Sequence, residues 1–228
     1  VSLYASLVEG NIVVLPTGVA EGIELVSVDY GAVRGNRIAG TTDGHGIRLL
    51  DSASCVVSSN TITAVAGASK HGIVAIGTSV KSQIDNNVID NVSDGSGIYV
   101  DGSATESNVR GNSITDVNGA NNGVTIVAAD VMVSGNRIKD IANGDGIDID
   151  SGSDNVQIVG NVIQQVAGAN QHGINAAAAR THASSNKIIN VANGCGVYVP
   201  ASGSRTQIVG NTIRDVNGAD QHGVEVLA

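Results

Sequence analysis

Apolar and polar positions alternate along this chain in short runs, and the runs return at a fixed interval. Segments such as Val131-Met132-Val133 and Val156-Gln157-Ile158 lead into Gly-Asn-x-Ile, seen at Gly35-Asn36-Arg37-Ile38, Gly111-Asn112-Ser113-Ile114, Gly160-Asn161-Val162-Ile163 and Gly210-Asn211-Thr212-Ile213. Three residues after that isoleucine comes another apolar side chain, as at Val65, Val117, Ile141 and Val191. A polar tip follows, then Gly-Ile or Gly-Val, as at Gly72-Ile73, Gly146-Ile147 and Gly223-Val224. A period of two places one face of each run inside. Each unit therefore reads as three short strands separated by polar bends.

Asn11, Asn36, Asn60, Asn87, Asn112, Asn136, Asn161, Asn186 and Asn211 mark the period, with gaps of 24 to 27 residues. Self-similarity at that length predicts a solenoid, because one unit cannot bury its own apolar face and must stack on the next. Helix competes poorly: 30 glycines are spread along the chain and β-branched residues fill the apolar positions. Strands at equivalent positions would be parallel and about 4.8 Å apart, giving a rod of roughly 40 Å for nine coils. The asparagine column then has a structural reason. Identical amides at a repeated bend can each donate to the next, and Asn tolerates the backbone angles that bends require.

A second period overlies the first. Residues 151–174 are similar to 202–224 and to 101–124, a spacing of two coils. Alternate coils carry a short tip (Asp94-Gly95-Ser96, Gly144-Asp145, Gly194-Cys195) or a longer one such as residues 66–71. Duplication of a two-coil unit explains this.

Composition sets limits. Residues 1–228 read as a single domain, with no linker or low-complexity segment. A net charge of −9 argues against a nucleic-acid partner, which needs clustered Lys and Arg. No apolar stretch is long enough to span a membrane. Zinc, phosphate-loop and dinucleotide motifs are absent, and no cofactor is expected. Cys55 and Cys195 fall five coils apart, roughly 24 Å along the axis at the strand spacing, so no intrachain disulfide is expected. The chain has no initiator Met, and both ends fall at or beside strands; the expectation is a piece of a longer protein, or ends that meet a partner.

Coils of about 25 residues with an asparagine column and Gly-Asn-x-Ile repeats resemble the right-handed parallel β-helix superfamily of pectate lyases, polygalacturonases, alginate epimerases and phage tailspikes. The resemblance covers essentially the whole chain. It implies an all-β fold, a right-handed single-stranded parallel β-helix of about nine coils with three short strands per coil. It also implies a polysaccharide partner and an extracellular, cell-surface or virion location. Asn143-Gly144-Asp145-Gly146-Ile147-Asp148 is similar to the Asn-Thr-Asp-Gly-Ile-Asp signature of polygalacturonases, whose first Asp is catalytic. The Asp-Asp pair and the Gly-His-Gly of those enzymes are missing from the next two coils, which carry Gln171-His172-Gly173 and Gly194-Cys195-Gly196.

A solenoid converts spacing into geometry, so two columns hold candidate chemistry. The first precedes each strand-opening glycine: Glu21, His45, His71, Ser96, Asn122, Asp145, His172, Cys195 and His222. Asp145, His172 and Cys195 in adjacent coils could charge an imidazole beside a thiolate, and His172, Cys195 and His222 could bind a metal such as zinc; the plainer reading is a bend position that accepts small polar residues. The second column lies two residues after each glycine: Glu24, Arg48, Val74, Tyr99, Thr125, Asp148, Asn175, Tyr198 and Glu225, with Asp101 and Asp150 beyond. Asp148 and Asp150 are roughly 7 Å apart by strand rise, compatible with an inverting glycosidase pair. The candidate catalytic set is Asp145, Asp148 and Asp150 with His172 assisting. The candidate saccharide-binding set is Arg48, Tyr99, Asp101, Asn175 and Tyr198.

Val26, Leu50, Ile76, Val127 and Leu227 on the same face predict a surface covered by another copy, as in a homotrimer, or by a further part of the chain. Three functions compete: a module that binds polysaccharide, a polysaccharide hydrolase or lyase, and a mechanical rod that stacks end to end. Polyuronates suit a −9 chain poorly, because like charges repel.

Overall fold

The computed structural model of the chain describes residues 3–4, 6–14, 18, 20–218 and 221–227. These wind into nine coils, and the described residues contain strands and no helix. The terminal residues Val1 and Ala228, on which the expectation about bare ends was placed, lie outside the described residues.

Each coil contributes one strand to each of three nine-stranded parallel sheets. The first sheet runs from Leu7–Glu9 to Gln207–Val209, the second from Ile12–Val14 to Thr212–Val216, and the third from Ile23–Val26 to Val224–Val226. Leu3–Tyr4 adds a short parallel pairing with Val28–Asp29. Register follows the sequence repeat: Ile38, Ile62, Ile89 and Ile114 are paired in successive coils of the second sheet. All four are fully buried, and with their equivalents from the other sheets they form one continuous core. Burying each such side chain contributes roughly 1.5–3 kcal/mol.

The asparagine column is a ladder, as expected. Asn112 donates from its backbone N–H and its Nδ2 to Asn136 Oδ1, at 2.9 and 3.0 Å. Asn136 does the same to Asn161, and Asn161 to Asn186. Each amide also donates back to a first-sheet carbonyl, for example Asn136 to Val109 at 2.9 Å. The unusual backbone angle, however, does not belong to these asparagines. It belongs to the residue before each one: Gly35, Ser59, Asn86, Gly111, Gly135, Gly160 and Ser185, all with φ between 55° and 67°. The ladder amide must stay in line with its neighbours, so the chain turns one residue earlier. Two further left-handed columns recur along the coils, Tyr30 to Arg205 ahead of the first sheet and Ala64 to Asp215 within the second. Each bend is made by a single such residue.

The alternating tips interlock. A Cβ built on Gly44, Gly95, Gly144 or Gly194 of the short tips would lie 1.6–2.1 Å from a carbonyl oxygen of the preceding tip. A Cβ on Gly67, Gly119 or Gly168 of the long tips would meet the Cα of Asp43, Asp94 or Asn143 in the preceding short tip at 2.9–3.0 Å. Every tip therefore rests on one of the other kind. This stacking places the third sheet's outer face beside a regular wall of turns.

Candidate functional site

The glycine that opens each third-sheet strand brings the two candidate columns together. A Cβ on Gly146 would sit 2.5 Å from Ile163 Cγ2 and 2.6 Å from Gly173 O, so only glycine lets the turn press onto the next coil. The residue before it then points its side chain along the axis. Its acceptor atom takes the backbone N–H of the same position one coil on. Ser96 N–H donates to His71 Nδ1 at 2.9 Å, Asp145 N–H to Asn122 Oδ1 at 2.7 Å, and Cys195 N–H to His172 Nδ1 at 2.9 Å. His172 N–H donates to Asp145 Oδ1, His71 N–H to His45 Nδ1, and His45 N–H to Glu21 Oε2. Apart from Ser96, whose hydroxyl turns to Thr125, these members act as side-chain acceptors, which explains the polar composition better than small size does.

This bonding fixes the protonation of His45, His71 and His172. Nδ1 is an acceptor, so the rings are neutral with the proton on Nε2. Burial, with Lys70 and Arg48 nearby, pushes His45 down to about 4. Burial, with His45 and Lys70 beside it, pushes His71 down to about 3. His172 is lowered too, chiefly by burial.

The second column is in register from end to end, Arg48–Val74–Tyr99–Thr125–Asp148–Asn175–Tyr198–Glu225. Its aromatic members stack on histidines of the first column. Tyr99 lies 4.7 Å from His71 with 14° between planes, and His71 lies 5.2 Å from His45. Tyr198 lies 4.4 Å from His172, also at 14°. A cleft of about 420 Å³ opens beside this second stack, lined by Asn170, Gln221 and Glu225 with His172 and Tyr198.

Between the stacks lies a polar network. Asn122 Nδ2 donates to Thr125 Oγ1 at 3.0 Å and to Asp148 Oδ2 at 3.1 Å. Asn175 Nδ2 donates to Asp148 Oδ1 at 2.9 Å. The hydroxyls of Ser96 and Thr125 are 2.8 Å apart. Two amide donors favour the charged form of Asp148, but burial outweighs them and raises its pKa. Asp145 is buried three residues upstream, and burial with the charge of Asp148 lifts it to about 7 against the His172 N–H. Asn175 Oδ1 is buried with no partner among the described residues.

The other expected residues fall as follows. Asp150 is exposed, and its Oδ1 accepts the Gly152 N–H at 2.8 Å, capping the turn after the strand. Asp101 is half-buried at the matching turn, where its carbonyl accepts the Ala104 N–H. Arg48 is paired with Glu24 at 2.8 Å and with Glu21 at 3.6 Å. Asp145, His172 and Cys195 are adjacent as expected but do not form a charge-activated triad. Asp145 bonds the backbone of His172 and not its ring, and the thiol of Cys195 donates to Glu225 Oε2 at 3.0 Å. Burial and that bond push the thiol up to about 11, away from a thiolate. Among the described residues no three His, Cys, Asp or Glu side chains converge as metal ligands, so His172, Cys195 and His222 do not make a metal centre. Of the aliphatic face, a continuous run is limited to Val26, Leu50 and Ile76; Asp101 and Asp150 interrupt it.

Sequence reasoning did not single out Ser96, Asn122 and Thr125 as site residues. They stand in the two columns, and their signal is the crossing of columns next to Asp148.

A family described as a right handed beta helix region matches residues 6–114 and 45–213. No curated protein matches the chain in sequence. Among solved structures, the mannuronan C-5 epimerase AlgE4 A-module of Azotobacter vinelandii superposes with a TM-score of 0.73 at 17% identity, over 91% of this chain and 62% of that one. DFA-IIIase from Arthrobacter chlorophenolicus A6, in complex with GF2, gives 0.69 at 17%, over 87% and 56%. The surface protein and adhesin PfbA of Streptococcus pneumoniae gives 0.53 at 12%, over 98% and 66%. This chain thus spans less than two thirds of the first two, and the likeness is one of fold.

Proposed function

This chain belongs to the right-handed beta helix family, and from that premise we propose that it is a carbohydrate-associated module, acting outside the cell or on a virion, that binds polysaccharide along the outer face of its third sheet. The observation that carries the reading is the register of that face: two ring stacks, His71–Tyr99 and His172–Tyr198, with hydrogen-bonding groups of Thr125, Asp148 and Asn175 in line between them. Ring platforms with a few oriented polar groups are what a glycan needs, since sugars present both C–H faces and hydroxyls. The carbohydrate context itself is drawn from the family's neighbours, one of them a mannuronan epimerase. Arg48 and Asp101 extend the face towards its first coils. A glycan array probed with the purified chain tests the reading: binding to at least one oligosaccharide class, lost in the Tyr99→Ala, Tyr198→Ala double variant, is expected. Silence across the array would reject it.

One observation favours a second reading, catalysis at the same place. Burial and the neighbouring Asp148 carboxyl lift Asp145 to about 7, as a general acid requires, and the two amides on Asp148 favour its charged form, as a base requires. In this reading Asp145 gives its proton to the leaving oxygen of a glycosidic bond. Asp148 takes the proton from the attacking water. Neutral His172 holds the substrate through Nε2–H, and Asp150 adds negative charge at the rim. Release of reducing ends from a bound glycan, abolished in Asp145→Asn while binding persists, would establish it. Binding without release would leave the chain a binding module.

A further inference from the structure

Resting on the proposed glycan face, we infer that the gap between the rings of Tyr99 and His172 is a subsite for an uncharged sugar unit, and that the face selects against polyuronates.

The ring ladder gives the geometry. His45, His71 and Tyr99 occupy consecutive coils and stack 4.7–5.2 Å apart with planes 11–14° from parallel. That separation matches the strand spacing of about 4.8 Å, so the rings stand broadside to the solenoid axis. His172 and Tyr198 repeat the arrangement, His172 standing to Tyr198 as His71 does to Tyr99. Between the two stacks the column carries Thr125 and Asp148, which are small. The result is a notch walled by one face of Tyr99 and one face of His172. Tyr99 and His172 are three coil steps apart, about 14 Å from ring to ring at the strand spacing. Subtracting the thickness of the rings leaves room for one sugar unit across the axis. Its floor offers the Thr125 hydroxyl, the Asn122 and Asn175 amides and the Asp145–Asp148 pair.

Charge then selects the ligand class. Every ionisable group on the floor is acidic, and Asp101, Asp150 and Glu225 lie on the same face. His172 brings no positive charge, because its Nδ1 accepts the Cys195 N–H. Arg48 is held by Glu24 and Glu21. It is four coil steps from Asp148, about 19 Å at the strand spacing, which exceeds the screening length of about 8 Å at physiological salt. Lys70 lies beside His45 and His71, on the far side of the Tyr99 ring from the notch. A uronate carboxylate in the notch would face Asp148 with no cation to offset it. A neutral sugar meets only hydrogen-bonding groups.

The test uses the whole chain and matched hexasaccharides: β-1,4-mannose, β-1,4-glucose and α-1,4-galactose, each against its C6-carboxylate counterpart, by calorimetric titration at low and high salt. At least one neutral member should bind tenfold or more tightly than its uronate, and the ratio should narrow at high salt. Thr125→Trp, which fills the notch, should weaken that neutral ligand at least tenfold; Tyr99→Ala, which removes a wall, serves if the tryptophan variant does not fold. A uronate that binds as tightly as its neutral partner overturns the inference and leaves the glycan face standing. No binding by any of the six overturns both. Neutral binding unchanged in a folded Thr125→Trp or Tyr99→Ala variant overturns the location.

Discussion

Removing one amide from the middle of the asparagine ladder should cost far more than removing one at its end. Asn136 is 1% exposed and makes four side-chain hydrogen bonds: it donates to Val109 O and Asn161 Oδ1, and its Oδ1 accepts the N–H and Nδ2 of Asn112. In Asn136→Ala some of these groups keep another partner. Asn161 Oδ1 still accepts the Asn136 backbone N–H, and Asn112 Nδ2 still donates to Ile84 O. The Asn112 N–H is left buried without its acceptor, and Val109 O loses a donor. An orphaned buried donor costs about 1–3 kcal/mol and a lost bond about 1, so with the small void the variant should lose roughly 3–5 kcal/mol. Asn211 makes the equivalent bonds at the last coil, to Ala183 O and from Asn186, but is half-exposed. Water can replace them there, and Asn211→Ala should cost only about 1 kcal/mol. Urea unfolding followed by far-ultraviolet circular dichroism reads both, with the midpoint shifting and the slope unchanged. Equal losses in the two variants, or a loss below about 1.5 kcal/mol for Asn136→Ala, would refute the ladder as a source of stability.

Protonating His71 forfeits its bond from Ser96 N–H, so between its folded value of about 3 and the ordinary 6.5 the unfolded chain binds more protons. Stability should therefore fall as pH drops through that window, and His71→Asn, which keeps an acceptor as Asn122 does, should flatten the slope by up to about 1.4 kcal/mol per pH unit in pH-resolved denaturation. Cys55 and Cys195 are free and buried, and burial raises both thiols; a thiol reagent at pH 8 should label neither in the native chain and both after denaturation. Gly146→Ala would press a methyl into Ile163 Cγ2 and Gly173 O and should lower stability by about 1–3 kcal/mol, read as a lower urea midpoint, while Gly135→Ala, with open space around it, should cost only the strain of its positive φ.

The fold was legible because periodicity is itself a statement about neighbours. Once Ile38, Ile62 and Ile89 were placed 24 to 27 residues apart, their pairing followed, and so did the run Thr125–Asp148–Asn175 on the outer face. What periodicity could not supply was the direction in which a turn side chain bonds. Asp145, His172 and Cys195 read as a side-chain relay, yet Asp145 and His172 bond the backbone of the following coil, because the pressed glycine turn points them along the axis, and Cys195 donates to Glu225. Asn122 was equally hidden. Its letter recurs all along the chain, and only the turn geometry brings its amide to both Thr125 and Asp148. The left-handed corners were misassigned by one residue for a related reason: Ser59 and Asn86 share the φ of Gly35 without sharing its letter.

The interlocked short and long tips make the pair of coils, and not the single coil, the unit of growth. A lone coil gained or lost would set two tips of one kind against each other along that edge, whereas a gain or loss of two preserves every nesting contact. Length in this architecture is therefore counted in even steps. The edge of the third-sheet face then repeats at twice the strand spacing, about 10 Å, so a polymer of similar pitch lying along it would meet the same pair of tips at each step.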